Sequence, residues 1–495
     1  MVYVELATWT LRLYGFLAIS HLLLQYRYAL GHQWRLYKEK ARAAKDRGVT
    51  GSVYYSRTWR AKWYAAFIPG TRSKRRALEK AQSRTLDTRP MPASIAVWVT
   101  VFQETPRLLW GCLTALSQQD YQGKLTVFVV DDGSYLAQIE KYSADQPPPP
   151  MWFRRFVNKV FERKPENYRA RRQAYEARRN ELLRVIAEVS SDDPRIKFVP
   201  AKSNGGKREA QRLAWMRSSG HELYFSVDSD TVLDSNAISQ LASNFRNPDV
   251  AAATGYVDVG NWKQNWLTRL IDMRYWSAFF VERAAQSYHQ AVMCCSGPLA
   301  AYRASVVDQV MGRYATQRFL DRLCTFGDDR HLTNLVLSLG YLVVMDPRAH
   351  CLTAVPTTLR QYIRQQTRWN KSFYREMLWT TGAIKSHSWY MTYDLAMQFL
   401  LPFLLIAALV ATAVIAVSGG GFVTVSLYLG IVAGVGFVRS LYAVFARRGV
   451  KFSTRLSYLL FFCYGFIYVF VLMPVRLRAL VGLLLGNTAW GTREA

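Results

Sequence analysis

The stretch ELYFSVDSDTVL, residues 222–233, decides the fold class. A short apolar run ends directly in Asp228 and Asp230, which is typical of a buried strand that places carboxylates at the edge of a sheet. In open α/β sheets, ligands bind outside the carboxyl ends of the strands. The stretch therefore predicts a buried strand with a ligand site at its end.

Similar apolar runs lie on both sides of this stretch. They are SIAVWVTVF at 94–102, LTVFVVDDGS at 125–134, RIKFVPA at 195–201 and VAAATGYVDV at 250–259. Helical stretches separate them, which is the pattern of a mostly parallel sheet covered by helices. We predict an α/β, Rossmann-like domain in the middle of the chain.

The ends of the 495-residue chain are more apolar than its middle. Residues 6–26, 391–417 and 422–445 predict membrane-spanning helices, and basic residues follow the first and third of them. The positive-inside rule then predicts an integral protein, of the plasma membrane, with a cytoplasmic catalytic domain. A further apolar run at 456–475 precedes two arginines that a full crossing would place outside, which favours an interfacial or re-entrant helix.

These features divide the chain into five segments. The predicted boundaries are an N-terminal transmembrane helix at 1–30, a basic cytosolic linker at 31–90, a catalytic domain at 91–350 with a basic insertion at 145–184, interfacial helices at 351–390, and transmembrane and interfacial or re-entrant helices at 391–495. The simplest interpretation of the insertion, which begins with DQPPPP, is a solvated surface helix.

The formal net charge of +29 indicates an anionic partner or surface. Lipid headgroups, a phosphorylated substrate and an acidic polymer all fit, whereas the sequence has no zinc finger or other nucleic-acid motif and nucleic acid is not expected. The six cysteines form no C-x-x-C pair, which predicts free thiols in a reducing compartment.

Three motifs carry groups suited to a phosphorylated ligand. Carboxylates of VDDGS, residues 130–134, can accept hydrogen bonds from a base or ribose. The DSD carboxylates can share Mg²⁺ or Mn²⁺ with a diphosphate. In NGGKRE, residues 204–209, the glycines let backbone approach a ligand, and Lys207 and Arg208 can bind phosphate. Each motif is also common as an ordinary surface turn.

Two later motifs suggest catalysis and sugar binding. In FGDDRH, the adjacent Asp328 and Asp329 would repel each other if buried, which raises a carboxylate pKa and suits a general base. In QQTRW, Gln365, Arg368 and Trp369 share one face of a helix. Arginine donates to diphosphate and tryptophan stacks on a sugar ring, although an interfacial helix with a snorkelling arginine fits the same pattern.

The motif order VDDGS, DSD, GDD and QxxRW, followed by apolar segments, resembles the processive family 2 glycosyltransferases: cellulose, chitin, hyaluronan and chitooligosaccharide synthases. Longer strings resemble hyaluronan synthases in particular. These strings are VFQETP at 101–106, CCSGPLAAYR at 294–303, CTFGDDRHLTN at 324–334, QQTRWNKSFYRE at 365–376 and WGTR at 490–493. Chitooligosaccharide synthases share GDDRHLT and are the alternative.

The resemblance implies a GT-A fold and a role for each matching position. The residues that would contact the uridine are Gln103, Glu104 and Asp132. The residues that would hold the rest of the UDP-sugar are Lys207, Arg208, Asp228, Gln365, Arg368 and Trp369. Asp230, with Asp228, would bind Mg²⁺ or Mn²⁺. Asp329 would deprotonate the acceptor with Asp328 beside it, and the acceptor pocket would be lined by Cys294, Ser296, Gly297 and Trp369.

The reaction implied is inverting transfer that alternates UDP-N-acetylglucosamine and UDP-glucuronate, with the growing hyaluronan polymer leaving through the membrane helices among the lipids. The alternative enzyme, a chitin or chitooligosaccharide synthase, would use UDP-N-acetylglucosamine only. Arg283 and Arg303 are the candidates for recognising glucuronate near the acceptor pocket. The sequence leaves the oligomeric state open.

Overall fold

A mixed eight-stranded sheet forms the centre of the protein. The structure, a computed structural model, describes residues 2–46, 91–143, 168–384, 388–420 and 462–486, with isolated positions between 426 and 441. The strands are β1 Ser94–Val101, β2 Lys124–Asp131, β3 Ile196–Pro200, β4 Leu223–Asp228, β5 Val232–Leu233, β6 Val250–Val259, β7 Ala300–Arg303 and β10 Leu342–Thr353, with a separate hairpin of β8 Arg318–Phe319 and β9 Arg322–Leu323. Their order in the sheet is β3-β2-β1-β4-β7-β6-β10-β5.

The four strands from β3 to β4 are parallel, so their carboxyl ends share one edge. β7 runs antiparallel to both β4 and β6, and β5 runs antiparallel to β10. This reversal opens the edge of the sheet next to β4, where Asp228 ends the strand. The predicted α/β class is therefore confirmed, and so is a mostly parallel sheet: six of the eight strands run in one direction, while β7 and β5 run against them.

Helices cover both faces of the sheet. Those before the DSD motif are α1 Val2–Asp46, α2 Pro106–Ser117, α3 Leu136–Lys141, α4 Tyr168–Asp192 and α5 Lys207–Trp215. Those after it are α6 Ala237–Ala242, α7 Trp266–Ser277, α8 Ala284–Tyr288, α9 Ala304–Ala315, α10 Asp328–Ser338, α11 Leu359–Ile384, α12 Trp389–Ile415, α13 Phe462–Ile467 and α14 Met473–Leu484. The strands pack through fully buried side chains such as Ile95, Trp98 and Phe225, which explains their almost continuous apolar sequences.

Two of the described helical segments are long and apolar enough to cross a membrane, by length and composition: Trp389–Ser418 and Tyr464–Leu484. The first agrees with the span predicted at 391–417. The second extends beyond the predicted interfacial run 456–475 and continues through Arg476. The guanidinium of Arg476 donates to the Gln398 carbonyl at 2.7 Å. The span predicted at 422–445 lies almost entirely outside the described residues.

The N-terminal helix α1 is longer than predicted. It runs 45 residues to Asp46, beyond the predicted boundary at residue 30, and it is not among the helices that reach the apolarity of a membrane span. Its second half is attached to the catalytic domain, since His32 Nε2 lies 3.1 Å from the Met345 carbonyl and Arg35 donates to the Tyr288 carbonyl at 2.8 Å. The rest of the predicted linker, residues 47–90, lies outside the described residues.

Candidate active site

Lys207 lies at the centre of the site, at the start of α5. Its Nζ is 2.6 Å from Oδ1 of Asp228, at the end of β4, and 3.3 Å from Oδ2 of Asp328, in the first turn of α10. Burial alone would lower the pKa of Lys207, but the charges of the two aspartates outweigh it and hold that pKa well above its usual value. The ammonium therefore stays charged and joins the end of β4 to the first turn of α10.

Gly297 lies directly against this ion pair. A Cβ atom at this position would stand 2.9 Å from Lys207 Nζ and 3.0 Å from Asp228 Oδ2. The first contact is shorter than real Cβ atoms show and the second is tighter than most, so a larger residue here would push the lysine ammonium away. The structure thus brings the predicted acceptor residue Gly297 together with the predicted donor residues.

We expect Gly297→Ala to displace the ammonium of Lys207 and to raise KM for the donor about tenfold, the equivalent of about 1.4 kcal/mol. Steady-state kinetics with varied donor concentration measure the effect. The matched control is Gly312→Ala in α9, where an added Cβ has no heavy atom within 4 Å. A donor KM that is the same in both variants would contradict the role given to the close approach.

Asp329 is next to this centre and is half-buried. Its Oδ2 accepts a hydrogen bond from Cys294 Sγ at 3.4 Å, and its Oδ1 accepts one from the Arg330 backbone N–H at 2.8 Å. Burial, and then the charge of Asp328, raise the pKa of Asp329, while Lys207 opposes them. Asp328 shows the opposite shift, because Lys207 and Arg208 outweigh its burial and lower its pKa. The two adjacent carboxylates therefore differ, and Asp329 is the more basic.

Asp132 holds the Gly-Gly turn in place. Its two carboxylate oxygens accept the backbone N–H groups of Gly205 and Gly206 at 2.8 and 2.9 Å. Burial raises the pKa of Asp132 to about 6, although the two amides oppose it. This connection places the start of α5, and hence Lys207, relative to the end of β2.

Gln103 and Glu104, two of the predicted uridine contacts, differ in whether their side chains already have hydrogen-bond partners. Gln103 has a left-handed backbone, with φ of 49°, and its side-chain Nε2 is buried without a hydrogen-bond partner, as expected of a donor that awaits a base. Glu104 is 5% exposed, and its carboxylate accepts from Ser229 Oγ at 2.9 Å and from the Thr105 N–H. Glu104 thus holds the DSD turn through its hydrogen bond with Ser229.

Arg208 does not have the predicted role of a phosphate ligand in this geometry. Its side chain is 6% exposed, stacks on Tyr314 and donates to the Phe326 carbonyl at 3.3 Å. The first turn of a helix sends successive side chains in different directions, so Lys207 faces the site while Arg208 faces inward. We assign Arg208 to the support of the loop that precedes Asp328.

The acceptor-side residues lie on a loop fixed to the sheet and to α10. The Ser296 N–H donates to Thr254 Oγ1 at 3.1 Å, and the Cys295 N–H donates to Thr333 Oγ1 at 3.0 Å. Of the two glucuronate candidates, Arg303 is half-buried, and its guanidinium donates to the backbone carbonyls of three residues of the neighbouring segment: Phe245, Asn247 and Val250. Arg283 donates to the Cys294 carbonyl at 3.3 Å.

The QxxRW helix, α11, presents an exposed indole next to α7. Trp369 is 46% exposed, and its ring centroid lies 6.3 Å from that of Tyr275 on α7. Burial and the charges of Asp230 and Asp228 raise the pKa of Tyr275. Gln365 Oε1, on the same helix, is buried without a partner.

Sequence reasoning missed a buried ionic cluster one to two turns further along α11. Arg375 and Glu376 are both fully buried; Arg375 donates to the Phe326 carbonyl at 2.5 Å, and Glu376 Oε2 lies 2.9 Å from His331 Nδ1. Burial alone would raise the pKa of Glu376, but its hydrogen bonds and Arg375 lower it to about 2. Both residues occur in the QQTRWNKSFYRE string, whose helical spacing from Trp369 was the available signal.

The DSD turn fits a divalent cation that binds together with a diphosphate. No group of three or more His, Cys, Asp or Glu side chains arranged for a metal occurs in the parts of the chain that the structure describes. Asp228 and Asp230 nevertheless provide two hard oxygen donors at one turn, which suits Mg²⁺ or Mn²⁺ when phosphate oxygens complete the coordination. Asp230 Oδ1 is oriented by a hydrogen bond from Thr353 at 3.3 Å.

The GT-A-like sheet has carboxylates at the end of β4 and a charged lysine in contact with them. Asp329, whose pKa is raised, lies beside this pair. These features are typical of glycosyltransferases that use nucleotide sugars. Within that class the chain belongs to glycosyltransferase family 2. Residues 174–372 match the family described as "Glycosyltransferase like family 2".

Curated relatives match most of the chain. A protein named N-acetylglucosaminyltransferase from Mesorhizobium japonicum is 35% identical over 406 residues, covering 82% of this chain and 83% of that protein. One of the same name from Sinorhizobium fredii is 34% identical over 451 residues, covering 90% and 95%. Among solved structures, a mannosyltransferase from Pyrobaculum calidifontis with GDP-mannose and Mn²⁺ is 16% identical, with a TM-score of 0.47 over 79% of this chain and 93% of that one.

These relatives bear on the predicted substrates. Their name favours the alternative of a chitooligosaccharide-type enzyme over the predicted hyaluronan synthase. UDP-glucuronate finds no support among them.

Proposed function

We propose that the protein transfers N-acetylglucosamine from UDP-N-acetylglucosamine to a hydroxyl of a growing chitooligosaccharide. The observation that carries the proposal is the contact of Lys207 with both Asp228 and Asp328, beside Asp329. It supports a site in which Lys207 is the cation for the diphosphate and Asp329 is the carboxylate for the acceptor. The names of the relatives supply the sugar.

In the reaction, Asp329 accepts the proton of the acceptor hydroxyl, whose oxygen forms a bond to C1 of the sugar. The bond from C1 to the phosphate oxygen breaks, and UDP leaves with the electron pair. Lys207 stabilises the charge that develops on the diphosphate, and Trp369 offers a flat surface to the sugar ring. Mg²⁺ or Mn²⁺ bound at Asp228 and Asp230 would neutralise part of the same diphosphate charge. Attack opposite the leaving group inverts the configuration at C1.

The test is to incubate the purified chain, in detergent or vesicles, with Mg²⁺ or Mn²⁺ and radiolabelled UDP-N-acetylglucosamine, with and without UDP-glucuronate. We expect oligomers from the single donor that chitinase degrades. A polymer that appears only with both donors, and that hyaluronan lyase degrades, would overturn the proposal and restore the predicted hyaluronan synthase.

The pH dependence should reveal Asp329 as the base. Its ionised form is active, so kcat/KM falls as the pH drops through its pKa, which burial and Asp328 raise above the ordinary carboxyl value. Asp328→Asn removes a neighbouring negative charge and should move this acidic limb to lower pH. Lys207→Gln removes a positive charge and should move it to higher pH. Profiles that shift in the same direction in both variants would argue against Asp329 as the titrating group.

A further inference from the structure

A carboxylate is buried in the candidate membrane helix α12 and has a full set of donors. Asp394 is 1% exposed, and its Oδ2 accepts from Gln286 Nε2 at 2.9 Å and from Gln398 Nε2 at 2.8 Å. Its Oδ1 accepts from Gln25 Nε2 of α1 at 3.3 Å and lies 3.6 Å from His21 Nε2. A carboxylate in an apolar helix is costly to bury, and such residues are usually kept for a function.

Gln286 connects this carboxylate to the catalytic domain. It belongs to α8, is 6% exposed, and uses both ends of its amide: Nε2 donates to Asp394, and Oε1 accepts the Met293 backbone N–H at 3.3 Å. A buried amide with both ends bonded has a fixed orientation. Met293 is therefore bonded to Gln286, which is in turn bonded to Asp394 of the candidate membrane helix α12.

Met293 begins the acceptor-side loop, residues 293–297. The next residue, Cys294, donates from Sγ to Asp329 Oδ2 at 3.4 Å. The following N–H, of Cys295, donates to Thr333 Oγ1, which in turn donates to the Asp329 carbonyl at 2.7 Å. A displacement of Met293 would thus move the partners of the catalytic aspartate on two sides.

We propose that Asp394 and Gln286 are positioning residues that hold the acceptor-side loop against Asp329, so that α12 sets the geometry of acceptor binding. The inference rests on the proposed function, because it assumes that the loop 293–297 meets the acceptor. The donor side, built on Asp132, Lys207 and Asp228, meets this loop at Gly297, four residues beyond Met293. Met293 and Cys294 lie at the other end of the loop, so we expect the larger effect on the acceptor.

The test compares two leucine substitutions that each remove one hydrogen bond to the same carboxylate oxygen. Gln286→Leu cuts the path to the loop, whereas Gln398→Leu leaves it intact. We expect Gln286→Leu to raise KM for a chitooligosaccharide acceptor about tenfold and to leave the KM for UDP-N-acetylglucosamine within about twofold. Gln398→Leu should leave both constants within about twofold. Equal effects of the two variants on the acceptor would overturn the proposal.

A second readout needs no substrate. Alkylation of Cys294 by a maleimide, followed by mass spectrometry of its peptide, reports how firmly the loop is held, and we expect it to be about tenfold faster in Gln286→Leu. If the wild-type enzyme transferred no N-acetylglucosamine, the proposed function would fail while this readout still tested the path. An unchanged alkylation rate in Gln286→Leu would overturn the inference alone.

Exchanging the amide of Gln286 with the carboxylate of Asp394 tests whether the hydrogen-bonded path can be restored. Gln286→Glu alone places two carboxylates in contact, and it should act like Gln286→Leu without loss of volume. Combined with Asp394→Asn, the new glutamate accepts both from Met293 N–H and from the new asparagine amide, which restores the path. We expect the double variant to return the acceptor KM and the alkylation rate to within about threefold of wild type. A double variant no better than Gln286→Glu would count against the proposal.

Discussion

Asp329→Asn should lower kcat about a thousandfold, within the range that a general base contributes. The amide has the size of the carboxylate but cannot take the proton of the acceptor hydroxyl. Lys207 pairs with Asp228 and Asp328 rather than with Asp329, so the donor side keeps its ion pairs. The loss should therefore appear in kcat while binding of UDP remains.

The measurement combines initial rates with calorimetric binding of UDP. Asp321→Asn is the matched control, because it removes the same charge from an exposed hairpin tip eight residues away without touching the site. It should retain wild-type rates. An Asp329→Asn enzyme within tenfold of wild type would exclude Asp329 as the base, and an Asp329→Asn enzyme that binds no UDP would assign it to the donor instead.

Gly327→Ala is the second large expected effect, in this case on stability. Gly327 has a left-handed backbone, with φ of 75°, and a Cβ there would collide with Ser372 Oγ and stand 2.7 Å from Arg375 Nη2. A left-handed alanine costs about 1–2 kcal/mol, and overpacking adds about 1–3 kcal/mol. We expect a clear fall in the thermal unfolding temperature, together with loss of activity because Asp328 and Asp329 follow directly.

Two companion variants separate the causes. Gly340→Ala has a φ of 83° but no heavy atom within 4 Å of the added Cβ, so it should show only the backbone cost. Adding Ser372→Gly to Gly327→Ala removes the collision, and Ser372 Oγ has no hydrogen-bond partner to lose. Partial recovery is expected. Equal destabilisation by Gly327→Ala and Gly340→Ala would show that the contact with α11 is unimportant.

Much of the sheet is visible in the sequence because buried strands read as apolar runs. The five quoted runs became β1, β2, β3, β4 and β6, and the GT-A-like fold is confirmed. β10 was missed because Pro347, Arg348 and His350 interrupt its apolar pattern, and these polar groups are accommodated by irregular pairing with β6. The antiparallel β7 is only four residues long, which is too short to stand out as an apolar run.

The site was predictable where strand ends supply the residue and less so where helices do. Asp228 and Asp132 lie where the ends of β4 and β2 must place them. Arg208, by contrast, was predicted as a phosphate ligand and Arg375 was not singled out, yet both side chains are buried and donate to the Phe326 carbonyl. Helical spacing shows which residues share a face of α5 or α11, but tertiary packing decides which polar residues of those helices are covered.

The long helix α1 has a consequence for the order in which the protein is made. Its partners Tyr288, Met345 and Asp394 follow it by 253, 313 and 369 residues in the chain. At a synthesis rate of about 5–20 residues per second, the helix leaves the ribosome roughly 15–70 seconds before these partners exist. During that time the side chains of Gln25 and His32 cannot form their contacts with Asp394 and the Met345 carbonyl. Helix α1 therefore packs against these partners only after most of the catalytic domain has been synthesised.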